Sequence, residues 1–256
     1  MDTTSKPMNI MIYGIAGTMG KIVYNTLKNH PTAKGVCGVD KFANPADFNI
    51  PVYTDIKDVT EKVDCIIDFS VKAALPDILS YCTKNNVPCV LCTTGYSDEE
   101  IAQINEASKS VAIFRSGNMS VGVNALVKLV KEASKLLGMA SDIEIIEQHH
   151  NKKIDAPSGT AIMLADAVKS QLDGLKIVNG REGICGKRTK NEIGMHAVRG
   201  GTIVGKHEVM FIMNNEVVTL KHESENKGIF AEGAVRAAEY LVGKEAGLYN
   251  MQDMLF

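Results

Sequence analysis

Short apolar runs alternate with helical patterns over the first 120 residues. MNIMIYG (8–14) is a β-rich apolar run ending in glycine. A helical pattern follows over 19–29, then a second apolar run, GVCGVD (35–40). The alternation continues. DCIIDF (64–69) predicts a strand and 72–85 a helix. VPCVLC (87–92) predicts a strand, SDEEIAQINEASK (97–109) a helix, and VAIF (111–114) a strand. Ser97 and Glu100 have the capping-box spacing that opens a helix. Short apolar strands alternating with helices predict a parallel sheet covered on both faces.

From Val121 the pattern changes. VGVNALVKLVKEASKLLG (121–138) is a long amphipathic helix, with Val123, Leu126, Val127, Val130 and Leu137 on one face and Gly138 as its stop. DIEIIEQHH (142–150) alternates as a strand does. A helix begins near Ser158. Three β-like runs follow, at 193–205, 207–213 and 216–224, and predict a mixed, largely antiparallel sheet. A last helix over 230–243 is expected to return to the first domain. The fold class is therefore α/β. A Rossmann-like parallel-sheet domain spans 1–120 and is joined by 230–256. A second α+β domain spans 121–229.

Composition narrows the choices. The 256 residues are 45% hydrophobic and 23% charged, which is ordinary globular composition. A net charge of -2, 5% aromatics and no Trp argue against a nucleic-acid partner. No apolar run nears the ~20 residues of a membrane helix, so no membrane partner is expected. The start lacks a signal-peptide pattern and reads as a loose tail over 1–7, so the expected location is cytoplasmic. Of six cysteines only Cys89 and Cys92 form a C-x-x-C. Strand alternation would turn them to opposite faces, as buried hydrophobes. His196, His207 and His222 have no metal-ligand spacing, and no metal is expected.

Two stretches carry the chemistry. GIAGTMG (14–20) places Gly14, Gly17 and Gly20 between the first strand and a helix. Such a turn lets backbone approach a pyrophosphate, and the helix N-terminus offers N–H groups and partial positive charge. Ala16 stands where the second glycine of G-x-G-x-x-G is expected, so the turn is a variant. Asp40 ends strand two, where an acid can accept ribose hydroxyls and favour NAD. Lys41 could instead meet a 2′-phosphate. CTTG (92–95) and SGNMS (116–120) lie at strand carboxyl ends and could wall a ribose and a nicotinamide. HHNKKIDAPSGT (149–160) is the second stretch. Ser158 is a natural N-cap, with Gly159 and Thr160 in the first turn. Helix N–H groups, a hydroxyl and Lys153 suit a carboxylate. His149 or His150 can serve as general acid near neutral pH. A nicotinamide domain joined to an acid site for a small anion predicts hydride transfer with protonation.

With these residues in place, the chain resembles the 4-hydroxy-tetrahydrodipicolinate (dihydrodipicolinate) reductase family of lysine and diaminopimelate biosynthesis. The resemblance runs through GIAGTMG, DFS (68–70), CTTG, NMSVGVN (118–124), EQHHNKKIDAPSGTA (147–161), RGGTIVG (199–205), FAEGAVRAA (230–238) and GLYNMQDML (247–255). It implies an NADH- or NADPH-dependent reductase and a homotetramer. It implies dinucleotide contacts from Gly14, Ile15, Ala16, Gly17, Thr18, Met19, Asp40, Lys41, Cys92, Thr93, Thr94, Ser116, Gly117, Asn118 and Met119. It implies that His149 is the general acid and that Lys153 holds a carboxylate and assists it. It also implies that His150, Gly159 and Thr160 bind a cyclic dicarboxylate, with Arg199 a further candidate beside it. Thr18, Cys92 and Gly117 depart from the family's usual Arg, Gly and Pro. Two other readings keep the nucleotide turn. One is a dehydrogenase for another small anionic carbonyl compound. The other is a non-catalytic NAD(H) sensor, which would lose the acid-base residues or gain a DNA-binding element.

Overall fold

The computed structural model describes residues 6–256. Of the tail expected over 1–7, residues 1–5 lie outside that range. Every apolar run named above forms a strand. In chain order the elements begin β1 (Met8–Tyr13), α1 (Thr18–Leu27), β2 (Ala33–Val39), β3 (Val52–Tyr53), β4 (Cys65–Asp68), α2 (Leu75–Asn85), β5 (Cys89–Leu91), α3 (Asp98–Ala107), β6 (Ala112–Arg115) and α4 (Val121–Leu137). They continue with β7 (Asp142–His149), α5 (Gly159–Lys169), β8 (Lys176–Asn179), β9 (Glu192–Arg199), β10 (Gly205–Ile212) and β11 (Val217–Ser224). The chain ends in α6 (Gly228–Leu241), β12 (Gly247–Tyr249) and α7 (Met251–Leu255). The chain divides into two compact units, Met1–Val121 with Lys227–Phe256, and Gly122–Asn226.

The first unit holds a seven-stranded sheet in the order β12-β6-β5-β4-β1-β2-β3, parallel throughout. A parallel sheet is covered on both faces, so its strands read as nearly continuous apolar runs. Ile10, Ile12, Ile67, Val90 and Phe114 pack on one side with Val23 and Leu27 of α1 and Ala234 and Ala238 of α6. Met11, Val39, Ile66, Leu91 and Ile113 pack on the other with Leu75 and Ile78 of α2 and Ile104 of α3. Cys92 and Cys89 belong to opposite clusters, as alternation requires. Ser97 and Glu100 close the capping box at α3. The order reverses at β1, which has β2 on one side and β4 on the other, and that is where open α/β sheets place their ligand crevice. The segment Lys227–Phe256, which carries α6, β12 and α7, clusters with this unit. At Gly233 a Cβ would lie 1.8 Å from the Met119 carbonyl oxygen, so only glycine lets α6 support that loop.

The second unit holds a mixed five-stranded sheet, β11-β10-β7-β9-β8. Its β10–β11 and β10–β7 ladders are antiparallel, and β7–β9 and β8–β9 are parallel. Ile143, Ile145, Met195, Val209 and Phe211 pack under Leu126, Val127 and Val130 of α4 and Ala161, Leu164 and Val168 of α5. Gly138 does follow α4, but it opens a short 3-10 turn instead of a left-handed cap. Packing explains the glycine: a Cβ there would sit 2.3 Å from Leu172 Cδ1.

Candidate active site

In the first unit, the glycine turn lies at the carboxyl end of β1. Gly14 takes φ +81°, and a Cβ there would meet the Phe69 carbonyl oxygen at 2.8 Å. A Cβ on Gly20 would lie 2.1 Å from the Gly14 carbonyl oxygen. Turn and helix therefore touch backbone to backbone. Gly17 caps α1 with no side-chain hydrogen bond, which leaves the helix start open to an anion. Asp40 follows β2 and ties the turn together. Its Oδ2 accepts from the Ala16 N–H at 3.0 Å and its Oδ1 from the Phe42 N–H at 2.9 Å. Each oxygen keeps a second lone pair for a ribose hydroxyl. A cavity of about 300 Å³ opens here, lined by Gly14, Gly17, Asp40, Lys41, Phe42 and Val71 among others. Phe42 and Val71 are exposed apolar side chains on its wall. An open helix start, a fixed carboxylate and an apolar-walled cavity fit a dinucleotide.

A second cavity of about 340 Å³ gathers Met19, Phe69, Cys92, Ser116, Gly117, Asn118, Met119, Lys227 and Phe230. Six of these were expected dinucleotide contacts. The 116–120 loop is held by its own side chains: Ser116 Oγ donates to the Asn118 carbonyl oxygen at 2.8 Å, and the Ser120 N–H donates to Asn118 Oδ1 at 2.9 Å. Asp68, 1% exposed, joins two neighbouring loops. Its Oδ1 accepts from the Ser70 N–H and hydroxyl at 2.9 and 2.5 Å, and its Oδ2 from the Thr93 hydroxyl at 2.8 Å. Burial pushes the carboxyl upward, and the three donors oppose that shift. Thr93 thus serves the loop through Asp68.

In the second unit, β7 delivers His149 to its carboxyl end, and His150 is the first residue beyond. His149 Nδ1 lies 2.6 Å from Glu147 Oε2. Glu147 is fully buried and continues the core face of Ile143 and Ile145. Arg199 grips it with two bonds, Nη1 to Oε2 at 2.8 Å and Nη2 to Oε1 at 2.7 Å. The Ser158 N–H adds a third donor residue at 3.0 Å to Oε1. Burial raises the Glu147 carboxyl, but Arg199 and His149 overcome this and hold it below the ordinary carboxylate value. For His149 burial is the largest influence and lowers its basicity. Glu147 opposes, Lys153 and Arg199 add to the lowering, and the net lies below an ordinary imidazole. The ring packs edge-on against His207 at 5.1 Å between centroids. His207 is 3% exposed, hydrogen-bonds Ser158 Oγ through Nε2 at 3.0 Å, and is pushed down to about 4 by burial first and then by His149. At Gly205 a Cβ would come within 3.2 Å of His149 Nε2, so glycine keeps room beside that nitrogen.

Ser158 caps α5 as expected, accepting from the Ala161 N–H. A Cβ added at Gly159 would meet nothing within 4 Å, so protein packing does not demand glycine there and the space beside it is open. Thr160 follows in the first turn. His150 Nδ1 is buried with no hydrogen-bond partner, which suits an atom that receives one from a ligand. Lys153 is not free. Its ammonium meets both carboxylate oxygens of Asp155, at 2.8 and 2.9 Å. Arg199 does not present its fork to open space either. Beyond Glu147 its two terminal nitrogens reach the carbonyl oxygens of Val198 and Asp155.

Glu147, Asp68 and His207 escaped the reading of the sequence as site residues. A polar residue on the apolar face of β7 was the available signal for Glu147. On the other face of the same sheet, Glu144 pairs with Arg181, Arg188 and His196, an ion network apart from the histidines. Among the described residues no three His, Cys, Asp or Glu side chains are placed to hold a metal ion, and no helix is long and apolar enough to cross a membrane.

Residues 8–119 match the family model for the N-terminus of dihydrodipicolinate reductase, and residues 122–255 match that for its C-terminus. A 4-hydroxy-tetrahydrodipicolinate reductase of Caldanaerobacter subterraneus subsp. tengcongensis is 48% identical over 97% of this chain and 98% of its own. The fold is shared with a dipicolinate-bound dihydrodipicolinate reductase from Paenisporosarcina sp. TG-14, with a TM-score of 0.82 at 24% identity, covering 98% of this chain and 100% of that one. More distantly, scyllo-inositol dehydrogenase from Lactobacillus casei, solved with NAD(H) and scyllo-inositol, shows the same fold with a TM-score of 0.61 at 14% identity over 98% of this chain and 93% of its own. With one family model matched over residues 8–119, the other over 122–255, and a relative 48% identical over nearly the whole chain, the chain belongs to the dihydrodipicolinate reductase family.

Proposed function

We propose that this chain reduces 4-hydroxy-tetrahydrodipicolinate to tetrahydrodipicolinate, with His149 as proton donor and Lys153, His150, Gly159 and Thr160 holding the dicarboxylate. The observation that carries the reading is the buried Glu147–His149 contact beside an N-capped helix start. The net change exchanges a C–OH for a C–H. It takes in one hydride and one proton and releases one water. NADH or NADPH supplies the hydride when bound. Gly14 to Met19 hold its pyrophosphate at the start of α1, and Asp40 and Lys41 meet the adenosine ribose. Cys92 to Thr94 and Ser116 to Met119 line the cavity for the remainder. His149 delivers the proton from Nε2, since Nδ1 is committed to Glu147. The start of α5 and Lys153 neutralise the substrate carboxylates, and the unpartnered His150 Nδ1 gains a bond to one of them. On this reading Met1–Val121 with the returning Lys227–Phe256 is the dinucleotide-binding domain. Gly122–Asn226 is the substrate and assembly domain of a cytoplasmic homotetramer.

The test is a coupled assay. The substrate is made from pyruvate and aspartate semialdehyde by a synthase, and oxidation of NADH and NADPH is followed in parallel. The wild-type protein should oxidise reduced nicotinamide rapidly. His149→Ala should lose about 10²–10⁴-fold in turnover, the usual share of a general acid, while NADH binding by fluorescence titration stays intact. Near wild-type turnover in His149→Ala removes His149 from the role. No oxidation with either cofactor, from protein that still binds NADH, points to another small anionic carbonyl substrate.

A further inference from the structure

We propose that Glu147 is the positioning residue of this reaction: its carboxylate fixes His149 in the tautomer and orientation in which Nε2 alone carries the transferable proton. The inference deepens the proposed function and rests on the reading of His149 as the acid.

The geometry supplies the argument. Residues i and i+2 of a strand share a face, so β7 places Glu147 directly behind His149 at 2.6 Å. An ionised carboxylate only accepts hydrogen bonds. Held to it, Nδ1 must keep its proton. The imidazolium therefore has one proton to give, at Nε2. Transfer moves that proton to the substrate and leaves neutral His149 protonated at Nδ1. A proton from solvent restores Nε2–H. The carboxylate can do this only if it stays ionised and still. Arg199 from β9 grips both its oxygens, and the Ser158 N–H holds one of them. Ser158 also meets His207 of β10, whose ring packs against His149. One residue, the N-cap of α5, thus braces both supports of the acid.

Charge makes the support necessary. The titratable and charged groups facing His149 are Glu147 on its own strand, Arg199 from β9, His207 from β10 and Lys153 from the following loop, itself paired with Asp155. Burial and the two cations disfavour imidazolium, and Glu147 is the one facing group that favours it. Removal of its charge lowers the basicity of His149. Turnover needs the protonated ring and falls as pH rises through its pKa, so the alkaline limb of kcat must move to lower pH.

The experiment is Glu147→Gln, with a double variant, Glu147→Gln with Arg199→Met, in case the single change leaves Arg199 too poorly paired to fold; the double variant is read by its tautomer and kcat alone, because it also removes a cation that opposes the imidazolium. Two quantities are read. The first is the tautomer of His149 by nitrogen NMR on histidine-labelled protein without substrate. The second is kcat against pH. The proposal expects Nδ1–H in the wild type and its loss in the variant. It also expects a fall in kcat of about 10²-fold or more, a limb shifted to lower pH, and little change in KM or in NADH affinity. A wild-type ring protonated at Nε2 in its neutral form overturns it. So does a variant with unchanged kcat and pH limb. If His149→Ala keeps its turnover, the reading of the acid falls while the tautomer result stands alone. If His149→Ala loses turnover and Glu147→Gln does not, only this inference falls.

Discussion

The Lys153 ammonium rests between the two carboxylate oxygens of Asp155, 2.8 and 2.9 Å away. The side chain expected to hold a substrate carboxylate already holds one of the protein's own. The Asp155 side chain is 58% exposed, so the pair is well screened and such a contact is worth about 0.2–1 kcal/mol. On the proposed function, substrate must displace it. Asp155→Asn should therefore lower the substrate KM by about two- to fivefold with little change in kcat. The bond from Arg199 goes to the Asp155 backbone carbonyl and survives the change. Steady-state kinetics of the variant checks this. An unchanged or raised KM would mean that Lys153 does not meet the substrate.

Asp68 makes a parallel case in the first unit. One buried carboxylate accepts from Ser70 after β4 and from Thr93 after β5. Both loops lie on the sheet edge where a dinucleotide binds. An amide at this position keeps one acceptor oxygen in place of two and loses the charge, so the Thr93 hydroxyl must turn from donor to acceptor and the ties to both loops weaken. Asp68→Asn should lower stability by about 1–3 kcal/mol, the cost of buried polar groups losing a partner. It should weaken NADH by about tenfold. Urea unfolding and NADH fluorescence titration measure the two effects, and unchanged affinity would confine Asp68 to the fold.

The glycine turn gives a contrast between neighbours. A Cβ on Gly20 would lie 2.1 Å from the Gly14 carbonyl oxygen, whereas one on Gly17 would lie 3.3 Å from the same atom. The first obstacle is backbone and cannot rotate away. Gly20→Ala should cost about 3 kcal/mol and abolish NADH binding, because α1 must retreat from the turn. Gly17→Ala should cost about 1 kcal/mol or less in stability. Thermal unfolding of the two variants side by side settles the order.

Much of this was legible in the chain because it is local. The strands, the Ser97–Glu100 capping box and the Ser158 N-cap depend on residues a few positions apart. What stayed hidden depends on register. Arg199 is 52 residues from Glu147, and only the parallel pairing of β7 with β9, which sets His149 opposite Arg199, brings them together. His207 reaches Ser158 across 49 residues in the same way. The strands β3, β8 and β12 are two to four residues long, too short for any period to show. Lys153 reads as a cation suited to a carboxylate, and sequence cannot show that Asp155, two residues on, turns back to meet it.

Acid should destabilise the second unit in two steps. His207 is buried as a neutral ring, with its basicity lowered to about 4 by burial. The unfolded chain protonates this residue near pH 6.5 and the folded chain only near 4, so the unfolded state binds more protons in between. Stability present above pH 6.5 is lost as pH falls toward 4. Glu144 follows. Burial raises its carboxyl, but Arg181, His196 and Arg188 bring it down to about 2. Its contribution is present above about pH 4.5 and lost as pH falls toward 2. Unfolding midpoints followed from pH 7 to 2.5 should decline through both windows. His207→Gln should flatten the upper decline and leave the lower, while Glu144→Gln should flatten the lower. An upper decline that persists without His207 would assign that window to other groups, with His149 and His222, both also lowered by burial, next in line.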